Sequence, residues 1–221
     1  MNRRRFIQKA LSFLGAAAGS AILLNKAHSF PTSSLKTEQE KESGQMKILV
    51  LTGSPRRNGN SNTLADYFIK GAEEAGHQIE RFDAAFKNVH PCIACNKCGM
   101  DGPCVFKDDF EFVREHIVDA DAVVFATPMY YFGISAQLKA VIDRFYAING
   151  RIHRPKKSVL LMTYANTVAS HAVPIEKHYE ILLDYLGWKD AGRVIASGVW
   201  PVGAVEGTPY PQKAYELGKK I

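Results

Sequence analysis

From Met46 to the end of the chain, continuous apolar runs alternate with stretches whose apolar residues recur every three or four positions. The runs KILVLTGS (47–54), QIERFDAA (78–85), AVVFATP (122–128), SVLLMTYA (158–165) and GRVIASGV (192–199) predict five strands. Most lack a polar face, the pattern of parallel strands covered on both sides. QIERFDAA is half polar and reads as an outer strand. SNTLADYFIKGAEEAG (61–76) carries Leu64, Tyr67, Phe68, Ala72 and Ala75 at helical spacing and stops at Gly76. Four more helices are expected over 108–120, 135–148, 173–188 and 211–220. The one at 135–148 opens on Ser135, a good N-cap, and repeats its apolar stripe through Leu138, Val141, Ile142 and Phe145.

Strands alternating with helices make a doubly wound parallel sheet. Such a sheet binds ligands beyond the carboxyl ends of its strands, where the strand order reverses. That rule nominates two loops, GSPRRNGNS (53–61) after the first strand and TPMYYFGIS (127–135) after the third.

Charge adds a second region. The net charge is +6 over 221 residues, but five of those charges (Arg3, Arg4, Arg5, Lys9 and Lys26) lie in residues 1–29, which hold no acid. The remainder is nearly neutral and gives no electrostatic case for nucleic acid binding. The basic start MNRRR, the apolar run ALSFLGAAAGSAILL (10–24) and Ala27-His28-Ser29 together read as a signal peptide. RRRFI resembles a twin-arginine signal, with departures at Asn2 and Gln8. It predicts export by the twin-arginine translocase to an extracytoplasmic location; an ordinary secretory signal or an uncleaved anchor is the alternative. No cysteine precedes Cys92, so a lipid-anchored cysteine behind the signal is excluded. Residues 30–45 are polar and read as a linker, so the folded domain is expected over 46–221.

The first loop has glycines but no phosphate-transfer register. Five residues separate Gly53 from Gly59 where a Walker A loop has four, and Asn60 stands where it needs lysine. Ser54, Asn60, Ser61, Asn62 and Thr63 offer neutral donors, Arg56 and Arg57 offer charge, and the following helix offers its N-terminal N–H groups. That set suits a terminal monophosphate. Pro128, Met129, Tyr130, Tyr131, Phe132 and Gly133 form an aromatic shelf suited to a flat conjugated ring, unless those aromatics belong to the core or to an oligomer interface. A monophosphate joined to a flat ring is FMN. No acid–base residue is expected, because flavin carries the electrons itself.

CIACNKCGMDGPC places Cys92, Cys95, Cys98 and Cys104 within an insertion at 86–107, spaced three, three and six residues apart. Such spacing can wrap a [4Fe–4S] cluster. Structural zinc prefers two separated knuckles. Free thiols or disulfides remain the competing reading, since exported proteins often form disulfides. His90, beside them, reads as a loop residue.

The G-S-P-R-x-x-G-N-S loop, the cysteine group followed by Lys107-Asp108-Asp109, and TPMYYFGISAQLKAVIDRFYAI together resemble the NADPH-dependent FMN reductase and iron–sulfur flavoprotein family. The resemblance covers about residues 46–221. It implies a flavodoxin-like fold, a five-stranded parallel sheet ordered 2-1-3-4-5. It implies that Ser54, Arg56, Asn60, Ser61, Asn62 and Thr63 hold the FMN phosphate and that Pro128 to Gly133 line the flavin ring. Thr163 to Asn166 are expected to touch the ring, and the protein is expected to be a homo-oligomer. The activity implied is that of an oxidoreductase taking electrons from NAD(P)H through FMN to a quinone or other small acceptor. A carrier of single electrons between protein partners is the alternative.

Overall fold

The computed structural model describes residues 44–221. The signal-like segment and most of the polar linker lie outside the described residues. Five parallel strands, β1 (Lys47–Thr52), β2 (Gln78–Asp83), β3 (Ala122–Tyr130), β5 (Lys157–Thr163) and β6 (Lys189–Ala196), form one sheet in the order β2-β1-β3-β5-β6. The sheet has six strands rather than the five expected. Beyond its parallel partners β3 runs on to Tyr130, turns on two residues, and pairs antiparallel with the short β4 (Gly133–Ile134). With β4 set aside, the parallel strands keep the anticipated spatial order.

Side-chain alternation sorts the helices onto two faces. On one, Ile48 and Val50 of β1 pack with Leu64, Ala65 and Phe68 of α1 (Asn60–Glu74) and Ala214 of α6 (Tyr210–Lys220). On the other, Leu49 and Leu51 pack with Phe110, Val113 and Ile117 of α2 (Phe110–Asp119), Leu138 and Val141 of α3 (Ala136–Asp143), and Ile175 and Tyr179 of α5 (Val173–Leu186). Adjacent residues of one strand therefore feed separate cores, which is why β1 reads as an unbroken apolar run.

The helix expected over 135–148 is shorter. α3 stops at Asp143 and the chain continues as a 3-10 turn, Arg144–Ile148, then the one-turn helix α4 (Asn149–Ile152). Its apolar stripe does not stop there, because Phe145 and Ile148 remain buried; the tighter winding re-aims Arg144 while keeping them in the core. Among the described residues no helix is long and apolar enough to cross a membrane.

Candidate functional site

The strand order reverses between β1 and β3, so the loops after these strands open at the same end of the sheet. They are in direct contact. Gly53 N–H donates to Ala126 O (2.9 Å), and a Cβ on Gly53 would lie 2.3 Å from Ser135 Oγ and 2.7 Å from Leu138 Cβ. Glycine is the residue that lets the end of β1 pass this close to the start of α3. Ser135 caps α3 by accepting from Leu138 N–H (3.4 Å), while its own N–H donates to Thr127 Oγ1 (3.1 Å).

The loop before α1 is shaped by its own polar groups. Ser54 Oγ accepts from Arg56 N–H and donates to Arg56 O, both at 3.2 Å. Asn62 Nδ2 donates to Arg56 O (3.0 Å) and Arg57 O (3.1 Å). Gly59 N–H donates to Arg56 O (2.9 Å), and a Cβ on Gly59 would meet Ser54 Oγ at 2.4 Å, so the turn closes only around glycine. Asn60 reaches a different part of the chain. Its Nδ2 donates to Val199 O (3.1 Å) and Pro201 O (2.8 Å), and its Oδ1 accepts from Val205 N–H (3.3 Å).

These bonds redistribute the roles expected from sequence. The amide of Asn60 is engaged by backbone through both its atoms and that of Asn62 through Nδ2, its buried Oδ1 having no partner, and both build the loop. Thr63 Oγ1 donates to Gly59 O at 3.4 Å. Ser61 Oγ is different: it is buried, at the first turn of α1, and has no hydrogen-bond partner. No side chain caps α1, and its first turn holds no acid. An orphaned hydroxyl beside uncapped N–H groups has the donors to hold an anion. Arg56 is exposed at the edge of this group, whereas Arg57 lies over the Phe86 ring, 4.1 Å from its centroid. That cation–π contact ties the loop to the start of the cysteine segment.

The second loop presents its aromatics outward. Tyr130 is 43% exposed, Phe132 48% and Tyr131 fully exposed. They are not core residues. Tyr131 (φ 45°) and Phe132 (φ 62°) are the two turn residues between β3 and β4, and both are left-handed. Hairpins of this kind usually place Asn-Gly there, because each bulky residue at positive φ is strained. Phe132 packs edge-on against His171 (5.1 Å between centroids), and His171 Nδ1 lies 3.1 Å from Asn166 Oδ1, which requires the Nδ1–H tautomer. The third loop thus reaches the hairpin through Asn166 and His171. Thr163 and Tyr164 are buried, and Ala165 and Asn166 are exposed.

Residues 87–109 contain no helix or strand, yet they are pinned down. Asn96 Oδ1 accepts from Tyr146 Oη (2.9 Å), Gly102 O from Arg114 Nη2 (2.8 Å), and Met100 O from Asn149 N–H (2.8 Å). Asp108 Oδ2 accepts from His90 N–H (2.9 Å) and Asp108 Oδ1 from Phe110 N–H (3.2 Å), at the start of α2. Both Asp108 oxygens also pair with Arg144, at 2.9 and 3.3 Å. Burial would push the Asp108 carboxyl upward, but the Arg144 and backbone hydrogen bonds outweigh it and hold its pKa below the ordinary value. All four cysteines are unpaired thiols and line a single pocket with Ile93, Val105, Phe106, Arg144 and Tyr146. Their backbone is wound tightly: Ala94, Asn96, Gly99 and Met100 all have φ between 54° and 73°. As placed, no three His, Cys, Asp or Glu side chains among the described residues are gathered at metal-ligand spacing.

Sequence reading missed Arg144. It sits in a segment read as amphipathic helix, and nothing local links it to Asp108, 36 residues earlier. The Lys107-Asp108-Asp109 run was the visible half of that pair.

Residues 46–200 match the family of NADPH-dependent FMN reductases. An iron–sulfur flavoprotein of Archaeoglobus fulgidus is 32% identical over 182 residues, covering 80% of this chain and 79% of that protein. One from Clostridioides difficile is 30% identical over 156 residues, covering 69% and 68%. Some other matched iron–sulfur flavoproteins align over about half of their length. An NAD(P)H:quinone oxidoreductase from Methanothermobacter marburgensis shares the fold, with a TM-score of 0.66 at 21% identity over 80% of this chain and 96% of that one. With its flavodoxin-like sheet and a cradle and aromatic hairpin at the point where strand order reverses, this chain belongs to the NADPH-dependent FMN reductase family and is an FMN-dependent oxidoreductase.

Proposed function

We propose that this protein passes electrons from NADPH or NADH by way of FMN to a quinone-type or other small acceptor, and that Cys92, Cys95, Cys98 and Cys104 would hold an iron–sulfur cluster able to supply one-electron steps. The observation that carries the flavin half is the meeting of a phosphate cradle and an exposed aromatic hairpin across one strand-order reversal. When bound, FMN accepts a hydride and gives up electrons singly or in pairs. The protein's part is to bind and orient. Ser61 Oγ and the first N–H groups of α1 take the phosphate oxygens, and Arg56 supplies charge at the rim. Tyr130, Tyr131 and Phe132 cover the ring and keep water from it, with Pro128, Met129 and Gly133 completing the wall. His171 braces Phe132 from the third loop.

The cysteine segment fits an iron–sulfur group in three respects. Four cysteines, none in a disulfide, share one pocket. Four left-handed residues, Ala94, Asn96, Gly99 and Met100, wind the segment as tightly as a loop around a cluster needs. A buried guanidinium borders the pocket. The two named relatives are iron–sulfur flavoproteins, which points the same way. Mixing the anaerobic oxidised protein with NADPH or NADH tests the reading. Bleaching of the flavin bands within turnover time is expected. If only a reduced protein donor bleaches them, the chain is an electron carrier between proteins.

The hairpin supplies a separate test. Tyr131→Asn with Phe132→Gly gives the turn residues suited to positive φ. Stability in chemical denaturation should rise by about 1–3 kcal/mol, while FMN affinity falls through lost stacking. Unchanged FMN affinity would remove the hairpin from the site.

Export through the twin-arginine translocase is part of the same proposal. A route that carries folded protein lets FMN and cluster be loaded in the cytoplasm. Arg3→Lys with Arg4→Lys should leave flavin-containing precursor inside the cell, and normal secretion of that variant would count against it. We also propose a homo-oligomer, for which the exposed Val173, Ile181 and Tyr185 of α5 offer apolar contacts beside Lys177. A monomer by light scattering would contradict it.

A further inference from the structure

We propose that Arg144 tunes the iron–sulfur group: its free Nε–H donates to a sulfur in the cysteine pocket, and its charge holds the group at a higher reduction potential than cysteine ligation alone would. The inference rests on the cluster reading above and goes beyond it, because Arg144 is not a ligand.

The guanidinium is almost fully buried, its side chain 1% exposed. Its terminal nitrogens are engaged. Nη1 donates to His90 O (2.8 Å) and to Asp108 Oδ2 (2.9 Å), and Nη2 to Asp108 Oδ1 (3.3 Å). Nε is buried and has no partner. A buried N–H on a charged group without an acceptor is strongly unfavourable, and the group cannot turn away from it. The guanidinium is a rigid plane, gripped by Asp108 and lying over Phe110, 4.7 Å from its centroid. Arg144 also borders the pocket that all four cysteines line. Pinning the cysteine segment requires only the terminal nitrogens. The orphaned Nε–H calls for an acceptor, and a sulfur of a bound cluster supplies one.

The sign of the effect follows from charge. Reduction by one electron adds one negative charge to the cluster, and a nearby cation in a poorly hydrated site favours that state. Asp108 on the far side of the guanidinium offsets part of this. Removing Arg144 must therefore lower the potential, and neutralising Asp108 must raise it. A merely structural pair would not move the two variants in opposite directions.

The test compares anaerobically purified full-length protein, Arg144→Met and Asp108→Asn. Iron and FMN are counted, and the reduced cluster is followed by electron paramagnetic resonance through a redox titration. At fixed solution potential the reduced-to-oxidised ratio should fall about tenfold in Arg144→Met, a shift of about 59 mV for one electron. It should rise by a similar factor in Asp108→Asn. If Arg144→Met does not fold, Arg144→Met with Asp108→Asn leaves no unpaired charge, and its ratio should fall below wild type. Arg144→Met and Asp108→Asn proteins that keep iron and titrate with the wild type, or that shift in one common direction, would overturn the role of Arg144, as would loss of iron from both. Iron-free wild-type protein would instead overturn the cluster reading beneath it.

Discussion

Exchanging any one of Cys92, Cys95, Cys98 and Cys104 for serine is expected to strip the protein of iron while FMN stays bound. A serine hydroxyl does not ionise near neutral pH and is a poor substitute for a thiolate, and four-cysteine ligation leaves no spare ligand. Iron should fall from about four atoms per chain to below one. The fold should survive, because the cysteine segment is held by bonds that involve no sulfur: Tyr146 to Asn96, Arg114 to Gly102, and Asn149 to Met100. Flavin should survive because its cradle lies at the start of α1 and its hairpin between β3 and β4, each outside the cysteine segment. The measurement is iron and flavin content of anaerobically purified variants. A variant that keeps its iron would remove that cysteine from the ligand set. Iron-free wild-type protein with paired cysteines would leave a plain FMN-dependent reductase.

The second large effect separates two neighbouring residues that sequence alone makes look alike. Ser61→Ala should weaken FMN binding by about 1.5–3 kcal/mol, the range for a hydrogen bond to a charged group. It should leave the stability of the flavin-free protein nearly unchanged, since Ser61 Oγ has no protein partner to lose. Asn60→Ala should do the reverse in its first effect. It removes three bonds to Val199, Pro201 and Val205 and should lower flavin-free stability by about 2–4 kcal/mol. Denaturation of apoprotein and FMN titration of each variant check the pair. Equal loss of affinity with equal stability would mean that Asn60 also holds the phosphate.

Much of the fold was legible because its signals are local. Each parallel strand lies between two helix layers, so it is written as a short apolar run, and each helix carries its own period. The meeting of the loops after β1 and β3 at one end of the sheet followed from topology, since the strand order reverses between them. The hairpin was not legible. Tyr131-Phe132 is a poor turn by composition, and only pairing of Met129 with Ile134 and Tyr130 with Gly133 forces it.

What the sequence determined by itself, then, is the set of chemical groups and the end of the sheet at which they gather. Glycine spacing, hydroxyls, aromatics and cysteines are properties of short segments, and short segments fold by local rules. The tertiary structure decided which member of each set is free to act. Ser61 Oγ is left unpartnered, whereas Asn60 is drawn off to Val199, Pro201 and Val205, about 140 residues away, and the Nδ2 of Asn62 to Arg56 and Arg57. Arg144 Nε is left without a partner while Asp108 and His90, from a distant segment, hold its terminal nitrogens. Hydrogen-bonding capacity is written in the residue type, but its expenditure depends on neighbours that only the folded chain brings together.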